Sequence, residues 1–169
     1  MDAHSDAILP TLLRDIRQAF VDSRPGPMSL EEAAARDSYA TDEDLLRIRS
    51  RRREEERWWA IPDEDLELHG YGLPYLDGPS WRYYLPAFLV WTLNHSKDET
   101  NSLVDMVVYG LMCSEGGKEA AERYAGLNSD QRWVVYRFLV FMRDVANCDS
   151  VAAAQAIDAY WRRAARSRE

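Results

Sequence analysis

The stretch Pro79-Ser80-Trp81-Arg82-Tyr83-Tyr84-Leu85-Pro86-Ala87-Phe88-Leu89-Val90-Trp91-Thr92-Leu93-Asn94-His95 decides how the chain is read. Leu85, Phe88, Leu89 and Leu93 recur at helical spacing, and Trp81, Tyr84 and Trp91 widen the apolar face. The segment is therefore expected to be the strongest helix in the middle of the chain. Pro86 lies within it. An interior proline costs ~3 kcal/mol, which predicts a kink or a helix starting close to that residue.

Outward from this segment, other helical stretches follow in both directions. Ile8, Leu12, Ile16 and Phe20, with Leu13, mark an amphipathic helix over 4–22 that begins near Leu9 because of Pro10. Ser29 and Glu32 form a capping-box signal for a short helix, Leu30 to Arg36. Thr41 or Asp42 caps a third, carried by Leu45, Leu46 and Ile48 to about Trp59. Beyond the central segment, helices are expected over 101–113, over 118–125 up to Gly126, over 130–146 after a Ser129 cap, and over 151–166 after Asp149 or Ser150. No strand-like alternation and no repeat is visible. The expected class is all-α: a single irregular helical bundle of about seven helices, one domain over 1–169, with a long packed central loop. That loop is Ala60 to Ser80, where Pro62, Gly70, Gly72, Pro74, Gly78 and Pro79 interrupt the periodicity. Leu66, Leu68, Tyr71, Leu73, Tyr75 and Leu76 call for its burial.

The chain has 169 residues, long enough to bury a core without staples, and 46% of them are hydrophobic. Its 29 acidic and 21 basic side chains leave a net charge of −8. Such a surface repels phosphate backbones and anionic lipid, so neither nucleic acid nor membrane is expected as a partner, and a basic protein is favoured. Leu85 to Leu93, the most apolar run, is too short to cross a bilayer. The first twenty residues lack the basic lead and apolar run of a signal peptide, and Cys113 and Cys148 read as reduced thiols; a cytoplasmic protein is expected.

Several constellations invite chemistry. Arg47, Arg49, Arg51, Arg52, Arg53 and Arg57 suggest phosphate contacts, but interleaved glutamates favour intrahelical pairs: Glu43 with Arg47, Arg51 with Glu55, Arg52 with Glu56. Asp63, Glu64, Asp65 and Glu67 do not match a calcium loop. They read as acids at a helix start or as a docking surface for a basic partner. His4, His69 and His95 have no companions at ligand spacing, and His95 reads as a helix-end residue near Asp98 and Glu99. No metal or cofactor is expected, and no zinc spacing, phosphate loop, dinucleotide fingerprint or nucleophile elbow is present. The aromatic belt Trp58, Trp59, Tyr71, Tyr75, Trp81, Tyr83, Tyr84, Phe88 and Trp91 reads mainly as core. Trp59, Tyr71, Tyr75 and Tyr83 are the expected exceptions.

The nine residues Trp81 to Leu89 resemble the F-R-Y-Y-L-P-A-Y/F-L signature of a bacterial family, domain of unknown function 6714. Trp59-Ala60-Ile61-Pro62, the segment Leu73 to Gly78 and the segment Gln131 to Leu139 are similar too, so the likeness spans roughly Ile8 to Met142. Trp81 replaces the more usual Phe, and Gly78-Pro79-Ser80 replaces a Thr/Ser-Pro-Glu cap. The resemblance implies a small bacterial cytosolic protein and no particular reaction. Within the motif, Arg82 is expected to pair with an acid of the preceding loop. Tyr83 or Tyr84 should bond loop backbone, and Pro86 should set the helix geometry around Trp81 and Leu85. The leading expectation is a non-enzymatic protein-binding protein of immunity or adaptor type, docking through Asp63, Glu64, Asp65, Glu67, Tyr71 and Tyr75. The alternatives are an enzyme or small-ligand module, using the 60–80 loop as a lid over Arg82, Tyr83 and His95 or His69, and a structural subunit of an assembly.

Overall fold

The computed structural model describes residues 3–52, 57–97, 102–112, 118–146 and 148–166; side chains at 3–6 and 118–121 are left aside. Among the described residues the fold is all-α. Its elements are α1 (Ala3–Ala19), α2 (Leu30–Asp37), α3 (Asp42–Arg51), α4 (Asp63–His69), α5 (Gly78–Asn94), α6 (Ser102–Tyr109), α7 (Lys118–Ala125), α8 (Ser129–Asp144), α9 (Ser150–Ala156) and α10 (Arg162–Arg166). Short 3-10 turns occupy Trp58–Ala60 and Gly70–Tyr75, and a π segment, Ile157–Trp161, joins α9 to α10.

Helix α5 is the axis of the core. Asp77 caps it, its carboxylate accepting from the Ser80 amide at 2.9 Å, and Pro79 sits in the first turn where its missing N–H is harmless. The helix runs through Pro86, which is buried. Trp81, Leu85, Phe88, Leu89, Trp91 and Leu93 are all fully buried along it. Around it pack α1 through Leu12, Ile16 and Phe20, and α6 through Val107 and Val108; α8, with Val135, Phe138, Leu139 and Met142 buried in the same core, packs on α1 and α9. An Asp15–Arg137 ion pair ties α1 to α8 at the edge of this packing.

Several boundaries differ from the sequence reading for local reasons. Helix α1 starts before Pro10 and carries it in its third turn. Helix α3 ends at Arg51, so the expected extension to Trp59 is not seen; Trp58 and Trp59 belong to a 3-10 turn, and 53–56 lie outside the described residues. Thr41 caps α3 in a reciprocal box with Asp44, and Asn128, rather than Ser129, caps α8 in a box with Gln131. The largest departure is the supposed loop. Residues 63–75 are helical: three acids after Pro62 favour an α-helix start, and Gly70, Gly72 and Pro74 tighten the next turns to 3-10. The expected burial does hold, since Leu66, Leu73 and Leu76 are each at most 2% exposed.

Two glycines set this segment against its neighbours. A Cβ on Gly72 would stand 2.6 Å from the Ala34 amide nitrogen and 2.8 Å from the Leu30 carbonyl oxygen, so the 3-10 turn lies directly on the backbone of α2. Gly26 similarly lets the strap before α2 touch Ser80, whose hydroxyl accepts from the Met28 amide at 2.9 Å. The arginines of α3 then bind that corner together. Glu32 of α2, only 2% exposed, accepts from Arg36 at 2.9 Å and from Arg49 at 2.6 Å. Arg51 pairs with Glu31, and Arg52 donates to the Gly26 carbonyl at 2.7 Å and to that of Pro27. The Glu43–Arg47 pair forms as expected at 2.9 Å. The expected partners Glu55 and Glu56 lie outside the described residues.

Candidate functional site

Helix α4 buries one row of side chains and presents three others. Leu66 enters the core. Residues four apart share a face of a helix, so Asp65 and His69 form one row, Glu64 and Leu68 a crest, and Glu67 with Tyr71 the opposite flank. Asp63, Glu64, Asp65 and Glu67 are all exposed. Leu68 is 72% exposed and Tyr71 54% exposed, so the crest and flank show apolar surface beside carboxylates. Glu67 accepts from the indole N–H of Trp91 at 3.3 Å, and the Tyr71 hydroxyl meets that of Ser102 at 2.8 Å, which fixes this flank against α5 and α6.

Tyr75 does not share that face. It lies on the far side of the 3-10 turn, where the Asp37 carboxylate beside it holds its phenol above the usual tyrosine value. Tyr39, 95% exposed at φ 57°, stands nearby. The expected set is thus divided: the four acids and Tyr71 share α4 and its extension, and Tyr75 belongs with the end of α2.

The other row of α4 opens on a cleft of about 260 Å³. Glu31 from α2, Arg51 and Arg52 from the end of α3, Asp65 and His69 from α4, and Tyr83 and Tyr84 from the central motif line it. The two tyrosine rings meet edge to face, centroids 5.0 Å apart. Tyr83, expected as an exception to burial, is 3% exposed, whereas Trp59, Tyr71 and Tyr75 keep exposed surface as expected. Trp58 takes the core position of its pair and donates to the Phe20 carbonyl at 2.9 Å. Trp59 lies under the guanidinium groups of Arg17 and Arg57.

The residues named for a lidded pocket diverge. Arg82 points away from the cleft: its guanidinium occupies the space beside Gly126 and donates to the Arg123 carbonyl at 3.4 Å, not to an acid of the preceding segment. His95 ends α5, stacks on Trp91 with centroids 4.2 Å apart, and its Nδ1 lies 2.8 Å from the Trp91 carbonyl. Of these residues, Tyr83 and His69 line the cleft. The supposed lid is part of the core through Leu66, Leu73 and Leu76. Elsewhere, Cys148 is half-buried with its thiol donating to the Met142 carbonyl at 3.3 Å. Burial, with Asp105 and Asp149 nearby, pushes its pKa up to about 11. Cys113, Asp98 and Glu99 lie outside the described residues. Among the described residues, no group of three or more His, Cys, Asp or Glu side chains could hold a metal ion, and no helix is long and apolar enough to cross a membrane.

The family model DUF6714, a family of unknown function, matches residues 9–165. The chain belongs to that family. The expected family is therefore the right one, and the matched span runs past Met142 into α10. No curated protein and no solved structure matches the chain.

Sequence reasoning names Tyr83 and His69 for a common pocket but misses the rest of this cleft: Tyr84, Asp65, Glu31, Arg51 and Arg52. The i, i+4 spacing of Asp65 and His69 was the available signal, and it carries meaning only once residues 63–69 are recognised as a helix.

Proposed function

We propose that this chain is a non-enzymatic protein-binding module, an adaptor or immunity-type protein of the bacterial cytoplasm, which docks a basic segment of a protein partner on the outer face of α4. The observation that carries this reading is the exposed Leu68 and Tyr71 set among Asp63, Glu64 and Glu67 on α4 and the 3-10 turn that extends it. Apolar surface of this kind contributes affinity when covered. The surrounding carboxylates select a basic partner and speed its approach. Helix α4 is anchored through Leu66 and through the 3-10 turn on α2, so the surface is held in place before any partner arrives.

The test places a photo-crosslinking amino acid at position 68 in the intact chain. One defined protein should be captured, less so as salt rises, and capture should be lost in the triple variant Asp63→Asn, Glu64→Gln, Glu67→Gln. Capture that is equal for the triple variant, or indifferent to salt, overturns the reading.

A further inference from the structure

The cleft beside α4 holds more charge than its size suggests, and most of that charge already has a partner. Arg51 is paired with Glu31. Arg52 donates to the Gly26 and Pro27 carbonyls. The Ser29 hydroxyl at its edge accepts from the Glu32 amide at 3.1 Å. The two arginines of the cleft are thus engaged. The Asp65 carboxylate is different: it is exposed and enters no hydrogen bond or ion pair among the described residues, while lining the same cleft as Tyr83 and Tyr84. A carboxylate beside two aromatic rings is the chemistry that receives an organic cation, through ion pairing on one side and cation–π attraction on the other. The volume, about 260 Å³, falls below the range of about 300–1,000 Å³ usual for drug-sized ligands. It suits one side chain.

We propose that this cleft is the seat of a single guanidinium or ammonium side chain of the protein partner, held between Asp65 and the partly exposed Tyr84 ring, which the buried Tyr83 ring meets edge to face. The proposal rests on the docking reading for the source of that side chain, because Asp65 lies next to the Glu64–Leu68 crest. The partner would lie across the crest and insert one Arg or Lys beside it. Tyr83 and Tyr84 belong to the central nine-residue motif, so the proposal gives that motif a binding role alongside its place in the core.

The experiment needs no partner. The full chain, with isotope-labelled tyrosine and histidine, is titrated with Nα-acetyl-arginine amide and with Nα-acetyl-lysine amide while NMR signals of Tyr83, Tyr84 and His69 are followed. Choline, Nα-acetyl-glutamate amide and inorganic phosphate are the other arms. The expected result is a saturable shift of these signals with a capped cationic amino acid, about fivefold weaker in Asp65→Asn and retained in Asp65→Glu. Because Asp65 is exposed, both variants keep the core intact. No saturable shift with either cationic amide, equal binding by Asp65→Asn, or tighter binding of phosphate, the glutamate amide or choline would each overturn the proposal. Failure here with salt-sensitive crosslinking at position 68 intact leaves the docking reading standing. Binding here with crosslinking indifferent to the crest variants removes the docking reading alone.

Discussion

Replacing Glu32 with Gln tests the reasoning about the α2–α3 corner most directly. The side chain is 2% exposed, and its Oε1 accepts from Arg36 Nε at 3.2 Å, Arg36 Nη2 at 2.9 Å and Arg49 Nη2 at 2.6 Å. Glutamine keeps the shape and one acceptor but removes the charge. A hydrogen bond to a charged group contributes about 1.5–3 kcal/mol against about 0.5–1.5 for a neutral one. Two factors reduce that difference: Arg36 and Arg49 are 41% and 47% exposed and can rehydrate, and the buried carboxylate's desolvation is relieved. The net loss is about 1–2 kcal/mol at pH 7, equivalent to about 2–8 °C in Tm for a chain of this length. The pH dependence is sharper. The Arg49 hydrogen bond, opposed by burial and aided by the Arg36 hydrogen bond, holds the Glu32 carboxyl below its ordinary value. A depressed folded-state pKa stabilises fully above the unfolded value, about 4.3. That stabilisation is lost as pH falls through the folded value. Urea denaturation of both proteins from pH 7 downward should therefore show a constant gap above about pH 5.5 that narrows in acid. A gap independent of pH, or a Gln variant as stable as the parent at pH 7, would refute the assignment.

Two further substitutions probe packing. Gly72→Ala would drive a methyl group into the Ala34 and Leu30 backbone and should destabilise by about 1–3 kcal/mol, because an α-helix backbone cannot yield as a side chain can. An unchanged Tm would contradict that contact. Thr92→Val should raise stability by about 1 kcal/mol, since the Thr92 hydroxyl is fully buried and has no hydrogen-bond partner among the described residues. A lowered Tm in thermal denaturation would show that the hydroxyl is satisfied after all.

Much of the architecture was legible because local rules and burial agreed. The Leu12–Ile16–Phe20 stripe, the Ser29 cap and the apolar face of α5 all lie where periodicity placed them. Errors arose where one residue type served two ends. Gly70, Gly72 and Pro74 carry the signature of loop punctuation, yet they form a 3-10 turn whose glycine lets two backbones touch. The π segment at Ile157–Trp161 had no visible signature. Its Trp161 indole donates to the Leu111 carbonyl at 2.8 Å, a contact fifty residues away that no local pattern encodes.

For the candidate site the division is similar. The exposed acids of α4 were readable, because carboxylates after a proline favour a helix N-terminus and rarely enter a core unpaired. Their grouping was not. Whether Tyr71 or Tyr75 joins them depends on the sense of a 3-10 turn. Whether Arg82 or His69 shares the cleft with Tyr83 depends on which side of α5 each neighbour packs. Sequence alone determined the charge, the family and most of the helices, the last because periodicity and caps act within a few residues. Only tertiary structure decided that Arg49 would meet Glu32, that Arg51 would meet Glu31, and that a cleft would remain between their helices and the motif's tyrosines. Those outcomes depend on how separate helices pack, and that is settled by the whole core together.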